Sequence, residues 1–310
     1  KSCGSWASPL VTGRGEWRSV ELTARRPGSI CPDNLAYRWT MRSLLFVPGS
    51  RPERIAKALD AGADAVVVDL EDAVAPDAKD AARACVLREL NAERRFAVRV
   101  NALETEWGRD DADALAGHDH APAFVMLPKA ESAGQIDVLI AALGDQAAGG
   151  VVPIIESALG LKNAWEICAA DGVKAVLFGG GDMAADLGVA MDWEPLFFPR
   201  SQVVAACAAA DVPAIDVPWL NVKDEAGLIA ETERVRALGY QAKACIHPAQ
   251  VHPVNAVFTP SKTDITEAER VIAALEDAGG GAALLDGKLI EAPIIRRARR
   301  VLAAARAANS

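Results

Sequence analysis

The chain has 310 residues, of which 51% are hydrophobic, 24% are charged and only 5% are aromatic. This composition supports a large aliphatic core and excludes disorder over most of the chain. The formal net charge of −9 argues against a dedicated nucleic-acid-binding protein, and no apolar run reaches the roughly 18 residues that a membrane span needs. A local positive pocket on an acidic protein still allows an anionic substrate.

Residues 1–40 mix Gly, Ser, Arg and Trp without a sustained period, and they lack the apolar stretch of a secretory signal. A clean strand pattern begins at Met41. We therefore expect residues 1–40 to be an irregular N-terminal extension and Met41 to be the natural start. An arm that covers a partner subunit is the alternative, and loss of the fold on truncation to Met41 would contradict the first expectation.

After residue 41, short apolar runs alternate with amphipathic stretches. The runs are bounded by Gly, Pro, Asp or Asn and are apolar on both faces, which is typical of buried parallel strands. The predicted strands are 44–47, 65–69, 96–100, 123–127, 151–155, 175–178, 214–217 and 242–246. The predicted helices between them are 52–61, 78–91, 109–117, 132–143, 159–169, 201–210 and 224–238.

Eight strands alternating with helices predict an α/β fold, a TIM (β/α)₈ barrel, with residues 41–278 as the catalytic domain. A doubly wound sheet is the alternative, and the lack of a GxGxxG motif after the first strand disfavours it. Residues 279–310 are expected to form a linker and a basic extension helix, at 293–307, that packs on a neighbouring subunit.

The cysteines form no CxxC pair, and four of them lie in apolar segments. This pattern indicates buried free thiols of a cytosolic protein, so we expect a cytoplasmic location. The six positions are Cys3, Cys31, Cys85, Cys168, Cys207 and Cys245.

In a TIM barrel, chemistry takes place at the carboxyl ends of the strands. The acidic residues at these ends are Asp69, Glu71, Asp72, Glu131, Glu156, Asp182 and Asp216. Carboxylates that converge on one mouth repel each other unless a cation lies among them. Because no Cys/His cluster accompanies them, a hard divalent ion is expected, Mg²⁺ first and Mn²⁺ as the alternative. Arg99 and Lys129 would add positive charge for an anionic carboxylate or phosphate substrate.

Several of these residues also have structural interpretations, which the sequence leaves open. Strand-end acids such as Asp72 and Asp216 often cap a helix or pair with a cation. Arg99 could form a structural salt bridge, and 179–181 could be a plain turn instead of a backbone anion site.

A family resemblance rests on motifs that occur in order along the chain. They are RSLLFVPG at 42–49, DLEDAV at 69–74, VRVN at 98–101, PKAE at 128–131, IE at 155–156, FGGGD at 178–182 and IHP at 246–248. Over about residues 42–260 the chain resembles the citrate lyase beta-subunit-like branch of the HpcH/HpaI aldolase family. The resemblance implies a TIM barrel, Mg²⁺, a homotrimer or hexamer, and carbon–carbon bond chemistry beside a coenzyme A thioester.

The resemblance also implies roles for individual residues. Glu156 and Asp182 would be the metal ligands and contact the substrate. Arg99 would bind the substrate oxygen that becomes the enolate. Glu71 and Asp72 would hold metal-bound waters in a second shell.

Two further expectations follow from the resemblance. Backbone N–H groups near Gly181 and Asp182 would hold the carboxylate of the oxo acid. The segment 286–293 is similar to one that, in acyl-CoA members, crosses to the neighbouring subunit and delivers a catalytic Asp. This chain has Glu291 where Asp is usual, so Glu291 of a neighbouring subunit is the expected acid.

The expected function is a Mg²⁺-dependent lyase that cleaves, or condenses, a 3-hydroxyacyl-CoA such as malyl-CoA or citramalyl-CoA into acetyl-CoA and a 2-oxo acid. One alternative is a citrate lyase beta subunit acting on a citryl thioester held by an acyl-carrier protein. Others are a variant that also hydrolyses the thioester and a non-catalytic protein that binds metal and CoA thioesters. The sequence leaves the identity of the oxo acid and the choice between trimer and hexamer open.

Overall fold

The computed structural model describes residues 9–11, 17–19, 40–93, 96–278 and 283–308. Eight parallel strands close into a barrel in chain order, and the last strand pairs with the first. The strands are β1 (Ser43–Pro48), β2 (Ala65–Asp69), β3 (Ala97–Arg99), β4 (Val125–Leu127), β5 (Val151–Ile155), β6 (Val176–Phe178), β7 (Ala214–Asp216) and β8 (Ala242–Cys245). The predicted TIM barrel is confirmed, with strand ends shifted by two residues at most.

Helices follow the strands, and most of them cover the outside of the barrel. They are α1 (Pro52–Leu59), α2 (Lys79–Glu89), α3 (Glu106–Ala116), α4 (Ala133–Leu143), α5 (Ala158–Lys162), α6 (Ala164–Ala169), α7 (Gly180–Leu187), α8 (Trp193–Ala210), α9 (Glu225–Leu238), α10 (Val251–Phe258), α11 (Lys262–Asp277) and α12 (Ala292–Ala308). Short 3₁₀ turns lie at Pro76–Ala78, Gly144–Gly149 and Pro248–Gln250.

The helices differ from the prediction in several places, and the single helix predicted at 159–169 is divided into α5 and α6. Helix α8 starts at Trp193 although its predicted start was residue 201, because Pro195 lies in the first turn, where a missing N–H is harmless. Its second proline, Pro199, lies inside the helix. Helix α7 begins in the glycine run, which the sequence pattern presents as a loop.

The alternation of side chains along the strands explains which residues reach the mouth of the barrel. In β2, Val67 packs in the barrel interior, while Val66 and Val68 face the helices. The inward register therefore continues to Asp69 at the carboxyl end of the strand. The same two-residue alternation places Arg99 on the side of Ala97 and Glu156 on the side of Ile154. The inward-facing side chains at the carboxyl end of the barrel are therefore polar, whereas those deeper in the barrel are apolar.

The C-terminal segment forms a small unit of its own. Helices α11 and α12 pack with a hairpin of β9 (Ala283–Leu285) and β10 (Lys288–Ile290). Their buried core consists of Ala268, Val271, Ile290 and Ala298. The apolar stripe of α12 thus packs on α11 of the same chain. The linker predicted at 279–281 falls on residues 279–282, outside the described residues, and packing on a neighbouring subunit stays a prediction.

Other parts of the chain bear on the remaining sequence expectations. Two short antiparallel strands, Pro9–Val11 and Trp17–Ser19, lie in the predicted N-terminal extension, most of which is outside the described residues. Four cysteines are buried and free, as predicted, and Cys3 and Cys31 lie outside the described residues. Among the described residues, no helix is both long and apolar enough to cross a membrane.

Candidate active site

A cavity of about 490 Å³ opens at the carboxyl end of the barrel. The predicted site residues that line it are Asp72, Arg99, Glu156, Gly181 and Asp182. Asp69 and an apolar wall that includes Phe46, Ile154 and Leu177 complete much of the lining. The structure therefore brings most of the predicted site together, while Glu291, among the described residues, is exposed and does not line this cavity.

Glu156 is a buried carboxylate that follows β5. Its Oε1 accepts a hydrogen bond of 2.7 Å from the backbone N–H of Lys129. Gly179 lies against its other side, because a Cβ at that position would come within 2.5 Å of Oε2. Burial, together with the charges of Glu71 and Asp182, raises the pKa of Glu156 to about 8. Within the described part of the chain, no cationic side chain forms an ion pair with it.

Arg99, at the end of β3, is held in a fixed plane. Its Nε and Nη2 donate to the two carboxylate oxygens of Asp69 at 2.7 and 2.6 Å, and its Nη1 lies 2.8 Å from Glu71 Oε2. Burial works against the charge of Arg99, but hydrogen bonding and attraction to Asp69 and Glu71 raise its pKa further above its usual range. Arg99 is thus both a salt-bridge partner, as one interpretation of the sequence held, and part of the cavity wall.

Glu71 lies behind the cavity wall between two cations. Lys129 Nζ is 3.0 Å from its Oε1, and Arg99 Nη1 contacts its Oε2. Burial raises the pKa of Glu71, and the two cations oppose this effect. Asp72, by contrast, is largely exposed and lies 4.0 Å from Arg99. Of the two predicted holders of metal-bound water, only Asp72 lines the cavity itself.

Asp182 and Gly181 belong to the first turn of α7. The first N–H groups of a helix have no partner within the helix, so they can bind an anion. The space beside Gly181 is open, since a Cβ there would have no neighbour within 4 Å. The 179–181 segment is therefore the start of a helix directed at the cavity, not a plain turn.

The donor set at the mouth fits a divalent cation of the Mg²⁺ type. Glu156 and Asp182 each offer carboxylate oxygens, and the proximity of Asp182 contributes to the raised pKa of Glu156. A nearby cation would remove that repulsion. Among the described residues, no group of three or more His, Cys, Asp or Glu could hold a metal alone. Mg²⁺ is commonly bound by one or two carboxylates, with water and substrate oxygens as its other ligands.

Three other strand-end residues have structural contacts instead. Asp216 follows the inward-facing Ile215, so it points outward and pairs with Arg200 and Lys243. Glu131 accepts a hydrogen bond from Ser157, and His247 caps the 3₁₀ turn that follows it.

Sequence reasoning named Asp69 and Lys129 at the strand ends but did not find their partners, Arg99 for Asp69 and Glu156 for the Lys129 amide. The strand register indicates that Asp69 points inward, because Val67 of the same strand does. The backbone contact of Lys129 with Glu156 has no signal in the sequence.

Comparison with protein-family models gives two matches. The model described as HpcH/HpaI aldolase/citrate lyase matches residues 42–248. The model described as C-C_Bond_Lyase of the TIM-Barrel fold matches residues 201–308. Together they extend from the first barrel strand to α12.

Individual relatives match over nearly their whole length. A (3S)-malyl-CoA thioesterase of Cereibacter sphaeroides is 38% identical over 86% of this chain and 95% of its own. An L-malyl-CoA/beta-methylmalyl-CoA lyase of the same species is 33% identical, and the match covers 84% of this chain and 93% of the relative. Among solved structures, CitE from Mycobacterium tuberculosis in complex with magnesium, acetoacetate and coenzyme A is 35% identical in sequence. The match has a TM-score of 0.75 and covers 87% of this chain and 99% of that chain.

Proposed function

The chain belongs to the HpcH/HpaI aldolase/citrate lyase family, and we propose that it cleaves or condenses a 3-hydroxyacyl-CoA into acetyl-CoA and a 2-oxo acid. It is a carbon–carbon lyase of CoA esters. Malyl-CoA and citramalyl-CoA are the proposed substrates, and Mg²⁺, or Mn²⁺ in its place, is the proposed cofactor. The observation that carries the proposal is Glu156, a buried carboxylate that faces the cavity beside Asp182 and Arg99 and has no cationic partner among the described residues.

Glu156 and Asp182 would hold the cation. Bound there, Mg²⁺ would act as a Lewis acid on the hydroxyl and carboxylate oxygens of the substrate and lower the pKa of that hydroxyl. The N–H groups of Gly181 and Asp182 at the start of α7 would orient the carboxylate that leaves with the oxo acid.

Arg99 would stabilise the acetyl-CoA enolate that forms when a base removes the proton of the substrate hydroxyl and the carbon–carbon bond breaks. Its guanidinium is fixed by Asp69 before the substrate arrives, so little reorganisation is needed as charge develops on the thioester oxygen. Glu71 and Asp72, which neighbour Arg99, would order water around the cation.

Glu291 from a neighbouring subunit would protonate the enolate carbon. Support comes from its exposure and from its place between the hairpin and α12, outside the cavity of its own chain. Because the acid comes from a neighbouring subunit, we also propose that the protein is a homotrimer or hexamer. Mixing chains that carry Glu291→Gln with chains that carry Glu156→Gln tests it, because intact sites form only if the two residues come from different subunits. Absence of regained activity in co-assembled oligomers would contradict it.

We propose a cytoplasmic location, which the buried free thiols support.

Product analysis tests the lyase assignment. We expect malyl-CoA or citramalyl-CoA to yield acetyl-CoA and glyoxylate or pyruvate in equal amounts with Mg²⁺, and neither product with EDTA. The substrate that reacts identifies the oxo acid. Cleavage of carrier-bound citryl thioester alone would favour the citrate lyase alternative. No product from any of them, in a folded protein that binds Mg²⁺, would favour a non-catalytic binding protein.

Thioester hydrolysis is a second candidate function, because a 38% identical relative carries the name (3S)-malyl-CoA thioesterase. Hydrolysis of malyl-CoA releases free CoA and malate, whereas carbon–carbon cleavage releases acetyl-CoA and glyoxylate. Following both products in one reaction separates the two activities. Free CoA that appears without acetyl-CoA would identify a thioesterase and overturn the lyase proposal.

A further inference from the structure

Lys129 has an unusual backbone conformation next to the proposed metal ligand. Its φ is 51°, in the left-handed region that glycine adopts without strain. A lysine in this conformation, beside the cavity-lining Glu156, indicates a side chain that contributes something a glycine could not.

The two ends of Lys129 contact two different acidic residues. Its backbone N–H donates to Glu156 Oε1 at 2.7 Å, and its Nζ donates to Glu71 Oε1 at 3.0 Å. The amide makes its contact with Glu156 while the backbone of Lys129 is in the left-handed region. The side chain, half exposed, reaches Glu71 from the solvent side.

Each contact leaves the partner with one oxygen for another task. With Oε1 of Glu156 engaged by the amide, Oε2 is the oxygen available to a cation beside Gly179. With Oε1 of Glu71 engaged by the ammonium, Oε2 remains on Arg99 Nη1 at 2.8 Å.

We propose that Lys129 is a positioning residue that joins the metal side of the site to the enolate side. Its amide orients Glu156 for the cation. Its ammonium holds Glu71 against Arg99, and this contact fixes the orientation of Nη1 of Arg99. The inference rests on the proposed lyase function for its kinetic consequences, and its structural consequences can be tested without turnover.

Four substitutions separate the two contacts. Lys129→Met and Lys129→Gly remove the ammonium and keep an amide that can adopt the same φ. Lys129→Arg keeps a cation. Lys129→Val adds a β-branched side chain that strongly disfavours a positive φ, so it displaces the amide. Lys57→Met, on the exposed surface of α1, is the matched control.

We expect Lys129→Met and Lys129→Gly to lower kcat and kcat/KM together by about tenfold or more, since a lost charge-assisted contact acts on the transition state. Their Mg²⁺ affinity, measured by calorimetry, should remain within about twofold of wild type, because both variants keep the backbone amide that contacts Glu156. Lys129→Arg should recover part of kcat. Lys129→Val should weaken Mg²⁺ binding.

Two readouts would overturn the proposal even if the wild-type protein proved inactive as a lyase. One is the Mg²⁺ affinity: the proposal fails if folded Lys129→Val binds Mg²⁺ as tightly as the wild type does. It also fails if Lys129→Met loses as much Mg²⁺ affinity as Lys129→Val. The other is a crystal structure of Lys129→Met in which Glu71 keeps its position on Arg99. In an active enzyme, full kcat in Lys129→Met would overturn it as well. Failure of the lyase proposal itself would appear as absent carbon–carbon cleavage in the wild type, and it would leave the Mg²⁺ affinities and the crystal structure of Lys129→Met interpretable.

Discussion

Two clusters of buried charge lie in different layers of the barrel. The mouth cluster, at the carboxyl end, consists of Asp69, Glu71, Arg99, Lys129 and Glu156. The layer cluster, between the barrel and helices α8 and α9, consists of Arg200, Asp216, Glu231 and Lys243.

The clusters differ in how completely their carboxylates are neutralised. In the layer cluster Asp216 contacts Arg200 Nε at 2.9 Å and also Lys243, and Lys243 lies 2.8 Å from Glu231. In the mouth cluster Glu156 accepts a hydrogen bond from the backbone N–H of Lys129, and no cation of the described residues pairs with it. A carboxylate that is buried, unpaired and open to a cavity is costly for folding alone. We infer that the layer cluster serves stability and the mouth cluster serves ligand binding.

The largest effect is expected from removing the proposed metal ligands. Glu156→Gln or Asp182→Asn should abolish Mg²⁺-dependent turnover while leaving the protein folded, since neither change breaks an ion pair among the residues that the structure describes. Acetyl-CoA release checks the loss of turnover, and thermal unfolding of the same samples checks that the variants are folded. Wild-type-like turnover in either variant would overturn the metal assignment.

The layer cluster should respond in the opposite way. Asp216→Ala leaves Arg200 and Lys243 without their shared carboxylate, and breaking a buried ion pair in this way costs about 3–5 kcal/mol of unfolding free energy. Denaturant unfolding measures the loss. The Mg²⁺ affinity of the folded fraction should not change, and a selective loss of Mg²⁺ binding without loss of stability would contradict the distinction between the clusters.

Arg99 contributes both to the proposed catalysis and to the stability of the fold. Arg99→Ala should reduce transition-state stabilisation by about 3 kcal/mol or more, on the scale of one lost oxyanion donor. It should also destabilise the fold, because Asp69 loses its bidentate partner. Kinetics at a temperature where the variant is folded separates the two effects, and a retained kcat would exclude the proposed role at the enolate.

Mg²⁺ itself should stabilise the protein through the mouth cluster. A ligand that binds only the folded state adds about 2.7 kcal/mol at a concentration of 100 Kd. We expect Mg²⁺ to raise the Tm of the wild type and not that of Glu156→Gln. An equal rise in both proteins would indicate that the ion binds elsewhere.

The barrel and most of its mouth could be predicted from the sequence, because buried parallel strands are apolar on both faces and their polar ends stand out. Glu156 and Asp182 were found in this way and through the family resemblance. Asp216 stands at a strand end too, yet only its register relative to Ile215 shows that it faces the helices.

Other features depend on tertiary structure. The start of α7 within three glycines runs against their low helix propensity. The positive φ of Lys129 has no local signal, because lysine does not favour that region. The pairing of α12 with α11 depends on which of two apolar stripes meet, and α11 was not among the predicted helices.

Calorimetric titration of the metal-free protein with Mg²⁺, in parallel with Glu156→Gln, tests the central claim most directly. The account predicts saturable binding at a single site in the wild type and loss of that binding in Glu156→Gln. Equal binding by both proteins, or none by the folded wild type, would contradict it.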